Sequence, residues 1–523
     1  MATELTIAVR KISSVNPATG KVLRELECAS AEEVLAAVAR ARAAQAAWAE
    51  VGVRNRIAVL REFQHKLQER KSEIAEAISR EAGKPVAEAL TTEVLVVLDA
   101  ARFLIDHAYG LLRDEPLPHG NFATKLKRGR LVREPYGVVG IISPWNYPFS
   151  IPATETLTAL VAGNAVVLKP SEFTSLVALE LKSLLHAAGV PEGIFQVVVG
   201  DGATGAALID AQIDKLIFTG SVATGKRIAA AAAERLLPVV LELGGKDPML
   251  VLDDADVDVA SSAAVWGAFV NAGQTCLSVE RCYVHRSLYE AFLKACAAKT
   301  KKLRVGPGLD RETDVGPMIH EGQLRLVEAH VEDAIARGAR VLAGGSRSPE
   351  LGPNFYQPTV LADVTHEMRI MREETFGPVL PVAAFDSDEE AVRLANDSDF
   401  GLAACVWTSD DARGERLARR IQAGTVMVND VISCFGISEA PHGGVKSSGI
   451  GRTHGRFGLE EMVRLKYLDI DLMRSMKKVW WYGYGASFAR QMAGFLDMQF
   501  ARGLGARLRG AWRAAGVMRR KRL

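Results

Sequence analysis

From residue 137 to residue 242, short apolar runs alternate strictly with segments of helical length, and this alternation constrains the fold more than any other feature. Residues 137–142, 165–169, 195–199, 215–218 and 239–242 read as strands, and 152–161, 175–188, 203–209 and 225–235 read as the helices between them. A strand that returns through a helix must lie parallel to its predecessor, so the pattern predicts an α/β domain with a doubly wound parallel sheet. Such sheets bind ligands beyond the C-terminal ends of their strands. Polar, glycine-bearing segments fall at those ends: Ser143-Pro144-Trp145-Asn146, Lys169-Pro170-Ser171-Glu172, Thr219-Gly220-Ser221 and Glu242-Leu243-Gly244-Gly245-Lys246.

At 523 residues the chain exceeds the size at which one core stops growing, so two or more domains are expected. A second α/β alternation spans about 249–446, and no repeat or low-complexity linker separates the two. Upstream, Ser30 with Glu33 three places on forms a capping box for a helix to about residue 50, and 54–82 and 87–112 show helical periodicity. With 48% hydrophobic and 24% charged residues, the composition excludes disorder, collagen and a membrane channel. The six cysteines include no C-x-x-C pair, which argues against a zinc ribbon or a disulfide scaffold and for reduced thiols. The ten histidines lack ligand spacing, so no metal is expected. The start, Met1 to Leu5, lacks a basic stretch followed by an apolar run, so a cytoplasmic location is expected.

The net charge of +2 conceals an asymmetry, because residues 472–523 carry 12 Lys or Arg against the single acid Asp497. That surplus of +11 leaves −9 on residues 1–471. In the same tail, Val479-Trp480-Trp481-Tyr482 precedes Phe488, Met492, Phe495 and Leu496 at helical spacing, and Leu504, Leu508 and Trp512 follow four apart among arginines. Arg490 and Asp497 interrupt any run of the ~20 apolar residues that would span a bilayer. Two readings stay open: an interfacial helix that holds the protein on an anionic membrane face, or a helix packed on its own body or a partner subunit. No nucleic acid partner is expected.

Seven motifs occur in order: Pro144-Trp145-Asn146-Tyr147-Pro148, Lys169-Pro170-Ser171-Glu172, Phe218-Thr219-Gly220-Ser221 with Gly225, Glu242-Leu243-Gly244-Gly245-Lys246, Gly273-Gln274-Thr275-Cys276, Glu374-Thr375-Phe376-Gly377-Pro378, and Gly443-Gly444-Val445-Lys446 leading to Ser448-Gly449. Together they make the chain closely resemble the aldehyde dehydrogenase superfamily over about residues 14–470. The resemblance implies a cofactor domain from 1–121 and 137–243, a catalytic α/β domain from 244–446, and a small β oligomerisation element from 122–136 and 447–471, with 472–523 as an added tail. A homodimer or homotetramer follows from that element.

The resemblance also implies the chemistry. Cys276 attacks an aldehyde, which requires a thiolate and therefore an exposed, donor-rich or positive surrounding. Asn146, with the backbone N–H of Cys276, holds the oxyanion. Glu242 deprotonates the water that cleaves the thioester, and its apolar neighbours Leu241 and Leu243 should raise its pKa towards neutrality. Branches that pass the acyl group to coenzyme A lack this glutamate, so hydrolysis is favoured; a thiolytic enzyme and a non-catalytic binding protein are the alternatives.

No Gly-x-Gly-x-x-Gly turn follows a strand, so the cofactor loop is of another kind. By resemblance Trp145, Lys169, Ser171, Glu172, Gly220, Ser221, Gly225, Leu243, Glu374 and Phe376 hold NAD, with NADP left open. A carboxylate at Glu172 accepts from a ribose 2′-hydroxyl and repels a 2′-phosphate, which leans towards NAD. Tyr147, Thr275, Leu277, Phe435 and His442 are assigned to the substrate pocket, and His442 departs from a position that is commonly aromatic in the family. The aldehyde itself is not legible, although a membrane-held enzyme would suit a hydrophobic, lipid-derived one.

Overall fold

The computed structural model describes residues 10–121, 124–478 and 480–516. Met1 to Leu5, Val479 and Arg520, all used in the sequence reading, lie outside the described residues. Two compact units emerge, one of residues 1–113 and 133–465, the other of 114–132 and 466–523.

Two sheets organise the larger unit. The first runs, edge to edge, Gly449–Ile450, Val239–Glu242, Lys215–Thr219, Val138–Ile142, Ala165–Lys169 and Phe195–Val197. All its pairings are parallel except that of Gly449–Ile450, which sets Gly449 against Glu242. Its intervening helices, Ser150–Ala162, Ser175–Ala187, Gly202–Asp210 and Val222–Glu234, lie within three residues of the predicted spans. Residues buried on both faces, as in Val138–Ile142 and Ala165–Lys169, read as unbroken apolar runs for that reason.

The second sheet orders Arg340–Ala343, Thr359–Ala362, Val379–Phe385, Val279–His285, Asp247–Val251, Ala403–Trp407 and Thr425–Val428. Only Arg340–Ala343 pairs antiparallel. Glu242 ends one sheet and Asp247 begins the other, so the Leu243-Gly244-Gly245-Lys246 link passes between two separate hydrophobic clusters.

Ser30 and Glu33 form the reciprocal capping box that starts Ala31–Glu50. The predicted helix over 54–82 is two helices, Val53–Glu69 and Lys71–Ala82, because Arg70 leaves helical geometry (φ −95°, ψ 11°) and donates to Glu73 and Glu180. Preceding them is an unexpected hairpin, Lys11–Val15 with Val22–Glu27. Asn16 Oδ1 closes its turn by accepting from Ala18 N (3.0 Å) and Thr19 N (3.2 Å).

In the smaller unit, residues 486–514 form a helical hairpin, Ala486–Phe500 and Leu504–Ala514. The helices cross at two glycines: a Cβ on Gly494 would fall 2.4 Å from Arg513 Cβ, and one on Gly510 would fall 2.4 Å from Met498 N. Leu496, Phe500, Leu504, Leu508 and Trp512 stay exposed, Trp512 by 84%. Among the described residues, no helix is long and apolar enough to cross a membrane.

Candidate active site

The loop that carries Cys276 is held in a strained conformation. After the Val257–Phe269 helix the chain makes one tight turn in which Asn271 and Ala272 (φ 54° each) and then Gly273 (φ 72°) are left-handed. Left-handed geometry costs about 1–2 kcal/mol for each residue with a Cβ, so the surroundings must impose it. Glu88 accepts from Asn271 N (2.9 Å), Asn271 Nδ2 donates to the carbonyls of Asn146 (2.9 Å) and Gln274 (3.1 Å), and Gln274 Nε2 returns a bond to Asn271 O (2.9 Å). Asn146 Nδ2 donates to Gln274 O (3.0 Å), which brings this amide to within two residues of Cys276 in the chain. An amide NH₂ has two protons, and this bond uses one.

The Gly244-Gly245 link allows two close approaches. A Cβ on Gly245 would sit 2.3 Å from Cys276 O, and one on Gly244 would sit 2.5 Å from a Glu374 carboxylate oxygen. The other Glu374 oxygen accepts from Gly245 N (2.9 Å). The Glu374-Thr375-Phe376 segment is fixed from below by Glu280, which accepts from Thr375 N (3.0 Å) and Phe376 N (2.8 Å) and pairs with the buried Lys246.

Cys276 and Glu242 line one enclosed cavity, together with Ile151, Thr154, Glu155, Thr219, Leu243, Leu402, Phe435, His442, Thr453 and His454. It has about 20 Å³ of room for water. One water needs roughly 10–15 Å³ on this measure, so the cavity suits one. Neither carboxylate oxygen of Glu242 has a hydrogen-bond partner, and one oxygen of Glu155 is likewise unpartnered. Burial pushes Glu242 well above the usual carboxylate range, the nearby Glu155 pushes it further, and Arg452 opposes both. Burial raises Glu155 to about 8, against the opposing effect of a hydrogen bond from Thr219 Oγ1 (3.3 Å).

The thiol departs from the expected electrostatics. Cys276 is half-buried, and desolvation followed by the carboxylates Asp247, Glu374 and Glu242 drives its pKa well up. The polypeptide thus surrounds the sulfur with buried carboxyl groups, whose own pKa values burial raises, and no cation is among these neighbours.

Beyond the strand ends lies a second, open cleft of about 660 Å³, whose lining includes Trp145, Lys169, Ser171, Glu172, Gly220 and Ser221. Ser221 caps Val222–Glu234, so that helix directs its N-terminal partial positive charge into the cleft. Lys169 Nζ lies 3.5 Å from Glu172, and burial lowers its pKa. These residues fit a dinucleotide: a helix start for phosphate, and a lysine and a carboxylate for ribose hydroxyls. Gly225 lies outside this lining, and a Cβ there would fall 2.5 Å from Leu243 Cδ2. Glu374 and Phe376 lie outside this lining, but Phe376 meets Trp145 edge-on at 5.4 Å.

Of the five residues assigned to the substrate pocket, Phe435 and His442 line the cavity. Tyr147 is buried, with its hydroxyl 2.8 Å from Thr275 Oγ1 and Lys84 Nζ 3.9 Å from its ring centre, and Leu277 is buried in the second core. Sequence reasoning missed Glu155 and His454. Glu155 had a signal: it is the one acid in a thirteen-residue helix, Ser150–Ala162, that is buried on every side. His454 had none, because only the fold brings it beside His442.

The profile of the aldehyde dehydrogenase family matches residues 6–468. A Methylomonas protein named 4,4'-diapolycopene aldehyde oxidase is 42% identical over 93% of this chain and 91% of its own length. Among solved structures, the NAD+ complex of an aldehyde dehydrogenase from Bacillus cereus superposes with TM-score 0.85 at 36% identity, over 88% of this chain and 94% of that one. An Escherichia coli NADP dependent enzyme gives 0.84, also at 36%, over 88% and 95%.

Proposed function

This chain belongs to the aldehyde dehydrogenase family, and on that premise we propose that it oxidises a hydrophobic aldehyde to the carboxylic acid with NAD, or with NADP in its place, and releases the acid by hydrolysis. The observation that carries this reading is the cavity with room for one water between Cys276 and a buried, unpartnered Glu242.

Cys276 Sγ adds to the carbonyl carbon, and the oxyanion takes the second amide proton of Asn146 and the backbone N–H of Cys276. When bound, the oxidised nicotinamide supplies the hydride acceptor and a positive charge of the kind that the thiol's carboxyl neighbours do not. Glu242 then removes a proton from the enclosed water, whose oxygen attacks the thioester carbon while the C–S bond breaks. The raised pKa makes Glu242 a stronger base than a surface carboxylate. A buried carboxylate beside a space that suits a water favours hydrolysis over thiolysis.

The lining offers an aldehyde no fixed cation. It has no Lys or Arg, and burial holds His442 near 3 and His454 near 4, so both are neutral. An anionic aldehyde would lose its hydration without gaining a counter-charge, whereas an apolar one would not; relatives are named for both kinds, a 4,4'-diapolycopene aldehyde oxidase in Methylomonas and putative succinate-semialdehyde dehydrogenases in mycobacteria. A panel of aldehydes graded in chain length and charge, followed by NADH or NADPH absorbance with and without coenzyme A, tests this. We expect the free acid, with the highest kcat/KM for apolar aldehydes and for NAD. Absence of reduced cofactor with every aldehyde would indicate a binding protein, and an acyl-CoA product would indicate thiolysis.

The tail supports an anionic membrane face as a partner of the same reading. Among its described residues, 472–516, eight Lys or Arg face one acid, and the hairpin exposes an aliphatic and aromatic row from Leu496 to Trp512. Near an anionic surface each basic residue contributes about 1 kcal/mol in addition to apolar insertion. A match over 93% of this chain must reach at least residue 484, beyond the family profile's end at 468, so the Methylomonas relative shares the tail's beginning. Full-length protein should sediment with phosphatidylserine vesicles at low salt and release at high salt, and a chain ending at residue 471 should remain in the supernatant with its activity on a short aldehyde. Equal recovery of both in the supernatant would refute membrane attachment. The Val463–Asp471 strand exposes Leu465 and Tyr467, by 64% and 46%, and these suit it for pairing subunits into a dimer or tetramer.

A further inference from the structure

We propose that His442 and His454 form a proton path that carries the proton taken up by Glu242 out of the closed cavity, with His442 as the residue that positions Glu242 and first receives its proton. This rests on the hydrolytic reading above. Oxidation of RCHO by NAD+ and water gives RCOO−, NADH and two protons, so every turnover must export protons from a space with room for about one water.

Three titratable side chains line that space in sequence, and the last of them is the most exposed. Glu242 is buried at its strand end; His442 is buried with Nε2 3.7 Å from Glu242 Oε2; His454 is half-buried, and its ring centre lies 5.9 Å from that of His442. The first gap is one small rotation or one water from a hydrogen bond, and the second is within one water's span. Nδ1 of His442 and Nδ1 of His454 have no hydrogen-bond partner, an unusual state for buried nitrogens.

The backbone fixes this order. Leu243 N donates to Ser448 O (2.9 Å), which lays the 442–454 segment along the end of the Glu242 strand. His442 and Thr453 exchange backbone bonds of 2.8 Å each, which places His454 beside His442. Phe435 packs edge-on against the His442 ring at 5.1 Å and tilted against His454 at 4.5 Å, limiting rotation of both. The other charged or titratable groups facing them are Glu155 on the Ser150–Ala162 helix, Cys276, and Arg452, whose guanidinium donates to Gly444 O (3.0 Å) and Gly451 O (2.6 Å). Arg452 disfavours a lasting positive charge on His442. A neutral imidazole suits transfer: it accepts on Nε2 as Glu242 O–H breaks, and gives up its Nδ1 proton towards His454 and solvent.

The test uses stopped-flow oxidation of an aldehyde by the full chain and by His442→Ala, Glu242→Gln and His454→Asn. Asn tolerates the left-handed backbone at position 454 (φ 61°). We expect His442→Ala to keep the first-turnover burst of NADH and the aldehyde KM, to lose about tenfold or more in steady-state rate, and to recover much of it in added imidazole. Imidazole should do nothing for Glu242→Gln. His454→Asn should slow the steady state less than His442→Ala, again without loss of the burst. A His442→Ala enzyme as fast as wild type, or a slow one that imidazole leaves unchanged, overturns the path. If the wild type makes no NADH with any aldehyde, the dehydrogenase reading has failed; if the wild type turns over and Glu242→Gln stalls after its first turnover while both histidine variants turn over normally, only the path has failed.

Discussion

Two groups of buried carboxylates are treated in opposite ways by this chain. Glu93 and Glu280 support the loops: Glu93 accepts from Phe149 N (2.9 Å) and Ser150 N (2.8 Å) and pairs with buried Lys84, and Glu280 does the same for Thr375, Phe376 and Lys246. Among the described residues, both oxygens of Glu242 and one of Glu155, in the cavity, have no hydrogen-bond partner. A buried carboxylate with its bonds filled stiffens what it touches, whereas one left with unpartnered oxygens has them open to a proton. Burial alone therefore does not distinguish support from chemistry in this molecule, and neither does a raised pKa, since Glu81 is held by Ser14, Leu176 and Val177 and still rises to about 7; what sets Glu242 apart is that neither of its oxygens has a hydrogen bond among the described residues.

The largest effect should come from removing the atom that the cavity carboxylates serve. Cys276→Ala should lower NADH formation at least ~10³-fold while melting temperature and cofactor affinity hold, as steady-state kinetics, calorimetry and cofactor titration would show. Retained turnover would mean that Glu242 serves some other reaction. Next, Glu242→Gln should keep the burst and slow the steady state by ~10²–10⁴-fold, with little change in stability. Its counterpart Glu280→Ala should act through the fold, costing about 3–5 kcal/mol in denaturant unfolding because Lys246 is left charged and unpaired. If Glu280→Ala proved as stable as wild type, the division between the two groups would collapse.

The smallest effect is a pH slope. Glu155 has a folded pKa raised to about 8 from an ordinary 4.5, so its burial is harmless below about 4.5 and increasingly costly as pH rises from there through about 8, where the unfolded chain alone gains the ionised form. Glu155→Gln should flatten the decline in melting temperature between pH 5 and pH 8, measured by calorimetry. An unchanged slope would show that the Glu155 carboxyl is not raised by its burial.

Much of the larger unit was legible because its signals are local. Apolar runs at 165–169 and 239–242 match their strands end to end, and the Ser30 capping box marks its helix start. Arg70 was not legible as a break, since its geometry depends on Glu180, over a hundred residues away. Cys276, Glu242 and Asn146 could be named from motif order, but the thiol's carboxyl surroundings could not, because Asp247 and Glu374 approach it only through folded backbone. The same holds for His454 beside His442, which a pair of backbone bonds to Thr453 creates.

Ala272 illustrates a trade that protein engineers meet often. Its left-handed backbone (φ 54°, ψ 35°) is four residues before Cys276, in a buried turn. Glycine is content there, so Ala272→Gly would relieve roughly 1 kcal/mol of steric strain, and any screen for heat tolerance would be drawn to it. The same change would widen the range of shapes open to the loop when it is loosened, and a sulfur misplaced by an ångström forfeits about a hundredfold in rate. Heat tolerance gained at this position would therefore be repaid in catalytic precision.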